Sequence, residues 1–179
     1  MRAELYCCPK ATRHILTVLR ELREGLVSVK WLLDNRLLRA CTTEDFLRAL
    51  EELKRSLEGA GMALKSMDAD SFMHHYSRGV NALLRIAPDL DLPAPSDDEI
   101  RDFFNSVSSY RRKHGKVPVD YYLVEDLLAS LLFPLLTELV EEARLRASLE
   151  ELELLIGGPY DEKVDEERAY RWLVEHARG

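Results

Sequence analysis

Residues 96–115 read SDDEIRDFFNSVSSYRRKHG, and the reading of this stretch decides the class of the chain. Ile100, Phe103, Phe104, Val107 and Tyr110 recur at i, i+3, i+4, i+7 and i+10, which puts five large apolar groups on one face of an α-helix. Ser96-Asp97-Asp98-Glu99 has the form of a capping box, in which serine and glutamate reciprocally satisfy N–H groups that lack helical partners. Gly115 supplies the left-handed residue that commonly ends a helix. Acidic groups crowd the first turn and cationic groups the last, as the helix dipole favours.

Immediately upstream, residues 88–96 (PDLDLPAPS) hold three prolines and form the clearest linker. The spacing therefore predicts an N-terminal helical unit over residues 1–87, a linker over 88–96 and a C-terminal helical unit over 97–179, which can pack together. In the first unit, Pro9 suits an initial turn and Gly25 a C-terminal cap. This predicts one helix over Lys10–Glu24 and a second over Leu26–Ala40. A third, capped by Thr42 or Thr43, carries the stripe Phe46, Leu50, Leu53, Leu57 and loosens or ends at Gly59 and Gly61. Its wet side offers the i,i+4 pairs Glu44–Arg48 and Glu51–Arg55. A fourth runs from near Asp70 to before Pro88, with Phe72, Tyr76, Leu83 and Ala87 inward.

After Gly115, a helix starts near Val119 or Asp120 and kinks or restarts at Pro134, whose ring removes a backbone hydrogen bond. Leu145, Leu149, Leu152 and Ile156 then repeat until Gly157. A last helix spans about Lys163–Ala177. No alternating strand pattern of useful length occurs, so the expected fold is all-α, a bundle of seven to eight helices.

Composition agrees. Thirty-two leucines stand against four isoleucines among 179 residues, and leucine loses less freedom in a helix than β-branched residues do. There is no glutamine and there are only three asparagines, with 32% charged residues, a pattern expected of a protein selected for heat. The longest apolar run, Leu127 to Leu136, is half the roughly 20 residues that span a bilayer. Arg2, Glu4, Lys10 and Arg13 interrupt any apolar leader. A cytoplasmic protein with no membrane association is expected.

The net charge of −7 is unevenly spread: +2 over residues 1–60, −1 over 61–120 and −8 over 121–179. An acidic last third argues against wrapping nucleic acid there. The cluster Tyr110-Arg111-Arg112-Lys113-His114-Gly115-Lys116 is the best candidate for polyanion contact, with cations for phosphates and a ring for stacking. The alternative is that these cations only complement the end of their helix. The stripe Leu145, Leu149, Leu152, Ile156, with the apolar face around Trp31, exceeds what a small core readily covers and is the candidate protein interface. The alternative is that the bundle absorbs it.

Other constellations are weaker. His74 and His75 lack any metal-ligand spacing, and Asp70, His74 and Arg78 read as a surface charge ladder. Carboxylates over 138–153 and 161–167 alternate with basic groups as on a solvated face. Cys7, Cys8 and Cys41 lack zinc spacing; they read as small buried thiols, or as a bridge from Cys41 to Cys7 or Cys8. No cofactor and no metal are expected. Arg171 and His176 stand as R-x4-H, which resembles the short motif of HEPN ribonucleases, helical proteins that cut RNA in a dimer cleft. The resemblance covers six residues, and Trp172 replaces the polar residue usual after the arginine. It implies a ribonuclease as a third reading, beside that of His176 as a packed structural histidine. The leading expectation is a non-catalytic helical subunit or adaptor that works by protein–protein contact, with a protein partner or a homo-oligomer implied. The second is a nucleic-acid-binding accessory subunit.

Overall fold

The computed structural model describes residues 6–35, 43–92, 94–157, 170, 171 and 173–175. Among the described residues the chain is all-α and contains no strand. Its helices are α1 (Pro9–Asp34), α2 (Thr43–Lys65), α3 (Ala69–Ile86), α4 (Asp97–His114), α5 (Val119–Ser130) and α6 (Thr137–Ile156). A short π-type turn, Leu131–Leu136, joins α5 to α6. Six helices are fewer than the seven to eight expected, for two reasons. The first two expected helices are one, and the expected final helix falls largely outside the described residues. Of that last segment only Tyr170, Arg171 and Leu173–Glu175 are described, and they are helical.

Helix α1 runs through Gly25 without interruption, burying Ile15, Val18, Leu19, Leu22, Leu26, Val29 and Leu33 along one stripe. A mid-helix glycine costs about 1 kcal/mol, whereas each buried leucine-sized side chain contributes about 1.5–3 kcal/mol. The stripe therefore carries the helix across the glycine. Gly25 is a site of close approach: a Cβ there would lie 2.8 Å from Leu92 Cδ2. Leu92 and Leu90, from the stretch before α4, thus pack against the same core as the helices.

Helix α2 likewise passes Gly59 and Gly61. Gly59 makes room for the His75 imidazole, and Gly79 of α3 lets that helix approach Leu53 and Ser56 of α2. Helix α2 ends instead at Lys65, and the chain turns at Met67, whose φ of 56° places a non-glycine residue in the left-handed region. Asp68 N–H donates to the Ala63 carbonyl and Met67 N–H to that of Leu64, closing the last turn. Asp68 then caps α3 by accepting from Ser71 N–H at 3.1 Å and the Ser71 hydroxyl at 2.8 Å.

The expected stripes are buried: Phe46, Leu50, Leu53 and Leu57 on α2, Phe72, Tyr76 and Leu83 on α3, Ile100, Phe103, Phe104 and Val107 on α4. The capping box is not formed as expected. Ser96 occupies the N-cap position, but its hydroxyl caps nothing. Its backbone N–H donates to His14 Nε2 at 2.9 Å, and Glu99 faces Lys10 of α1 at 3.7 Å. Tertiary partners on α1 have replaced the local reciprocal pair. The charge ladder on α3 gives way similarly, since Asp70 pairs with Arg101 and Arg78 with Glu52. On α2, Glu44–Arg48 forms at 2.7 Å, whereas Glu51 reaches across to Arg144 of α6.

The break at Pro134 is present. Phe133 leaves helical geometry (φ −134°, ψ 115°) and the Phe133–Pro134 peptide is cis. The Thr137 hydroxyl donates to the Leu132 carbonyl across the break. Residues from all six helices and the turn contribute to a single buried cluster running from Cys8 to Ala143.

The glycines offer a paired check. At Gly79 an added Cβ meets Leu53 Cδ1 at 2.8 Å and Ser56 Cβ, one bond from backbone, at 2.9 Å; at Gly61 it meets only Leu128 Cδ2 at 3.6 Å. Overpacking costs about 1–3 kcal/mol and a Gly-to-Ala exchange in a helix returns about 1 kcal/mol. Gly79→Ala should therefore lower stability by about 1 kcal/mol and Gly61→Ala raise it by about 0.5–1 kcal/mol in denaturant unfolding.

Candidate functional site

Three places in the fold hold chemistry beyond the core. The first is the end of α4. Arg111, Arg112, Lys113, His114 and Lys116 are all exposed, and Tyr110 is half-buried. Gly115 is left-handed (φ 70°) and donates to the Arg111 carbonyl at 2.8 Å, so the last turn is closed by backbone. The Tyr110 ring lies 4.3 Å from that of His114. Arg111, Arg112, Lys113 and Lys116 form no ion pair among the described residues, whereas Arg48, Arg78, Arg85, Arg101 and Arg144 do. Next to this turn Tyr121 is pushed up to about 12 by burial and by its hydrogen bond with Glu125, with Arg111 acting in the opposite sense.

The second place is α6. Its first half buries Leu139, Val140 and Ala143, and nothing further along the helix is buried. Leu145 is 60% exposed, Leu154 84% and Leu155 53%, while Leu149, Leu152 and Ile156 are half-buried. The expected stripe is thus split: Leu149, Leu152 and Ile156 are half-buried and Leu145 is exposed. Leu154 and Leu155, absent from the stripe expected from sequence, are its most open apolar neighbours. The half-helix is tied to α2 by polar contacts, Arg144 to Glu51 at 3.1 Å and the Thr43 hydroxyl to the Glu150 carboxylate. On α1, Trp31 is exposed together with Val27.

The third place was not singled out in the sequence. Asp120, in the first turn of α5, is fully buried. Its Oδ1 accepts the Cys7 N–H at 2.8 Å; its Oδ2 accepts the Thr12 hydroxyl at 2.5 Å and the Cys8 N–H at 3.4 Å. Cys8 is the N-cap of α1 and offers no capping side chain. Asp120 therefore caps α1 from 112 residues away while standing in the first turn of α5, so two positive helix ends share one carboxylate. Cys7 and Cys8 are free thiols, their sulfurs 3.2 Å apart, and Cys8 Sγ lies 3.8 Å from Asp120 Oδ2. Burial, then the Cys8 thiol and Asp120, hold the Cys7 thiol far above the ordinary range. Burial also raises Cys8, against hydrogen bonds from Thr12 and Cys7 that act the other way. Both sulfurs stay protonated at neutral pH, the reverse of what a cysteine nucleophile needs. One hint was available: Pro9 starts a long helix whose preceding residue cannot cap it.

Beside this junction a groove of about 350 Å³ opens between α1 and α5, lined by residues including Thr12, Arg13, Arg20 and Leu123. His74 and His75 stack edge-on at 5.7 Å on α3, and His75 seats on Gly59 as a packing group. Cys41 and His176 lie outside the described residues, as do Trp172 and the carboxylates of 161–167, so the bridge to Cys41 and the Arg171/His176 pair do as well. No family model, curated protein or solved structure matches the chain.

Removing the shared cap should be costly. Hydrogen bonds to a charged group contribute about 1.5–3 kcal/mol each, and lost caps leave donors unpaired. Asp120→Ala is expected to lose about 3 kcal/mol, a fall in Tm of roughly 6–12 °C, and Asp120→Asn less, because one oxygen still accepts. Calorimetry on the two variants checks the order.

Proposed function

We propose that this chain is a helical interaction subunit that works by protein–protein contact through the second half of α6. The observation that carries this reading is the exposure of Leu145, Leu154 and Leu155 on a half-helix that has left the core. A surface helix presents one apolar stripe to its own core; one apolar on further sides buries them against another body. The contacts that hold this segment do not explain those leucines. Arg144–Glu51 is an exposed ion pair, worth about 0–1 kcal/mol. The carboxylates Glu151 and Glu153 on the same turns give the patch a charged rim, as interfaces have.

Leu154→Asp combined with Leu155→Asp tests it. Because both positions are open, folding stability should change by about 0.5 kcal/mol or less. Association detected by light scattering, or retention of a defined partner on the immobilised protein, should be lost. A wild-type chain that is strictly monomeric and retains no partner that the double variant loses would sink the reading.

A second function is favoured by a separate observation. Among the described residues the four cations at the end of α4 form no ion pair, and the Tyr110 and His114 rings lie 4.3 Å apart beside them. A single-stranded nucleic acid suits that arrangement, its phosphates on the cations and a base on the ring. Each phosphate contact contributes about 0.7 to the slope of log K against log salt on single strands, so four give a slope near −3. Replacing Arg111, Arg112, Lys113 and Lys116 by alanine should abolish that salt-sensitive binding. An oligonucleotide bound equally well by the quadruple variant would remove this reading and leave the first untouched.

A further inference from the structure

We propose that Cys7, Cys8 and Asp120 form a binding site for one thiophilic metal ion of the zinc type, clamped between the first turns of α1 and α5. Cys7 Sγ, Cys8 Sγ and a carboxylate oxygen of Asp120 all lie within 4.8 Å of one another. A tetrahedral zinc ion with bonds of about 2.3 Å to sulfur and 2.0 Å to oxygen sets sulfur–sulfur spacings near 3.8 Å and sulfur–oxygen spacings near 3.5 Å. The structure has 3.2 Å between the sulfurs and 3.8 Å from Cys8 Sγ to Asp120 Oδ2. The third spacing, Cys7 Sγ to the carboxylate oxygen, is at most 4.8 Å, so shifts of about an ångström bring the three donors onto one ion, within the ordinary freedom of a cysteine side chain. Two sulfurs and one oxygen select a soft or borderline ion over magnesium or calcium, which take oxygen ligands.

The surroundings fit in three respects. Asp120 is already oriented by the Cys7 and Cys8 N–H groups and the Thr12 hydroxyl, as metal-binding carboxylates are held by hydrogen bonds. The charge also balances. With both thiols protonated the three groups carry −1. When a divalent ion enters, the two S–H protons leave to solvent, two sulfur–metal bonds form, and the assembly of two thiolates, one carboxylate and the ion again carries −1. The net charge that faces the two positive helix ends is therefore retained. Finally, Cys7 is only partly buried, so one of the three donors is reached from solvent.

The site is distinct from both surfaces of the preceding section, and it fastens two chain segments more than a hundred residues apart. Its occupant raises stability by mass action, about 2.7 kcal/mol at a free concentration one hundred times Kd.

The test uses the full chain, reduced and stripped with chelator, titrated with cobalt(II) as a spectroscopic probe. One equivalent should give the ligand-field spectrum of a tetrahedral ion with a thiolate-to-cobalt charge-transfer band, and zinc should bleach both. Tm should rise with zinc. Cys7→Ser keeps the backbone N–H that Asp120 accepts and leaves the cap intact, so it should fold as wild type yet bind zinc at least tenfold more weakly. Cys41→Ser should bind as wild type does. Three results would overturn the proposal: no tetrahedral cobalt spectrum in the wild-type chain, unchanged affinity in Cys7→Ser, or binding lost in Cys41→Ser and kept in Cys7→Ser. The cobalt spectrum of the wild-type protein decides the matter even if a variant folds poorly.

Discussion

A single buried carboxylate joins the two ends of this architecture. Helix α1 is 26 residues long and contributes a stripe to the core along its whole length, yet its first turn has no capping side chain of its own. Four N–H groups at a helix start lack intrahelical partners, and near a core they must be met by something. Pro9 has none to offer; Asp120 meets that of the N-cap Cys8, with the Cys7 N–H just before it and the Thr12 hydroxyl, and it sits where α5 presents its own positive end. An isolated ionised carboxylate in such a place is expensive to desolvate; one facing two helix N-termini and three donors is compensated. The start of α1 is thereby set against the start of α5. The His14 bond to Ser96 and the Lys10–Glu99 pair then set α4 beside the same turns.

The α2–α3 hairpin shows a different constraint, backbone proximity. Gly59 and Gly79 sit where a methyl group would collide with His75, Leu53 or Ser56. Their absence of side chains fixes how closely the helices approach, and burial of Leu50, Leu53, Leu57, Phe72, Tyr76 and Leu83 offsets the helical cost of the glycines. Where α2 must end, the chain turns at Met67, with Asp68 closing one helix and opening the next.

These cases explain which parts of the fold were legible in sequence. Stripes at helical spacing report burial directly, so the faces of α2, α3 and α4 and the interruption at Pro134 could be read from residues alone. Glycine carries two meanings that sequence does not separate. At Gly115 and Gly157 it supplies a positive φ and ends a helix; at Gly25, Gly59 and Gly79 it admits a neighbour and the helix continues. The Ser96–Glu99 capping motif was locally sound but lost its partners to Lys10 and His14, which no spacing within 96–115 reveals. The Cys7–Cys8–Asp120 cluster was hidden for the same reason. Adjacent cysteines lack metal-ligand spacing on their own, and their third partner is 112 residues away.

Helix α6 brings these arguments to the surface of the molecule. Its polypeptide continues past the last core residue, Ala143, for more than three further turns while keeping a leucine content suited to an interior. If internal stability alone had shaped it, the exposed positions would carry the charged residues that cover the outer face of α2. Instead Leu145, Leu154 and Leu155 are exposed, and polar contacts from Arg144 and Glu150 tie the segment to α2. A segment held by weak polar contacts and faced with leucine can exchange solvent for a partner at little cost to the core beneath it. On the proposed function, the half of the helix beyond Ala143 would engage another chain while Asp120 keeps the starts of α1 and α5 together in the core that α6 leaves.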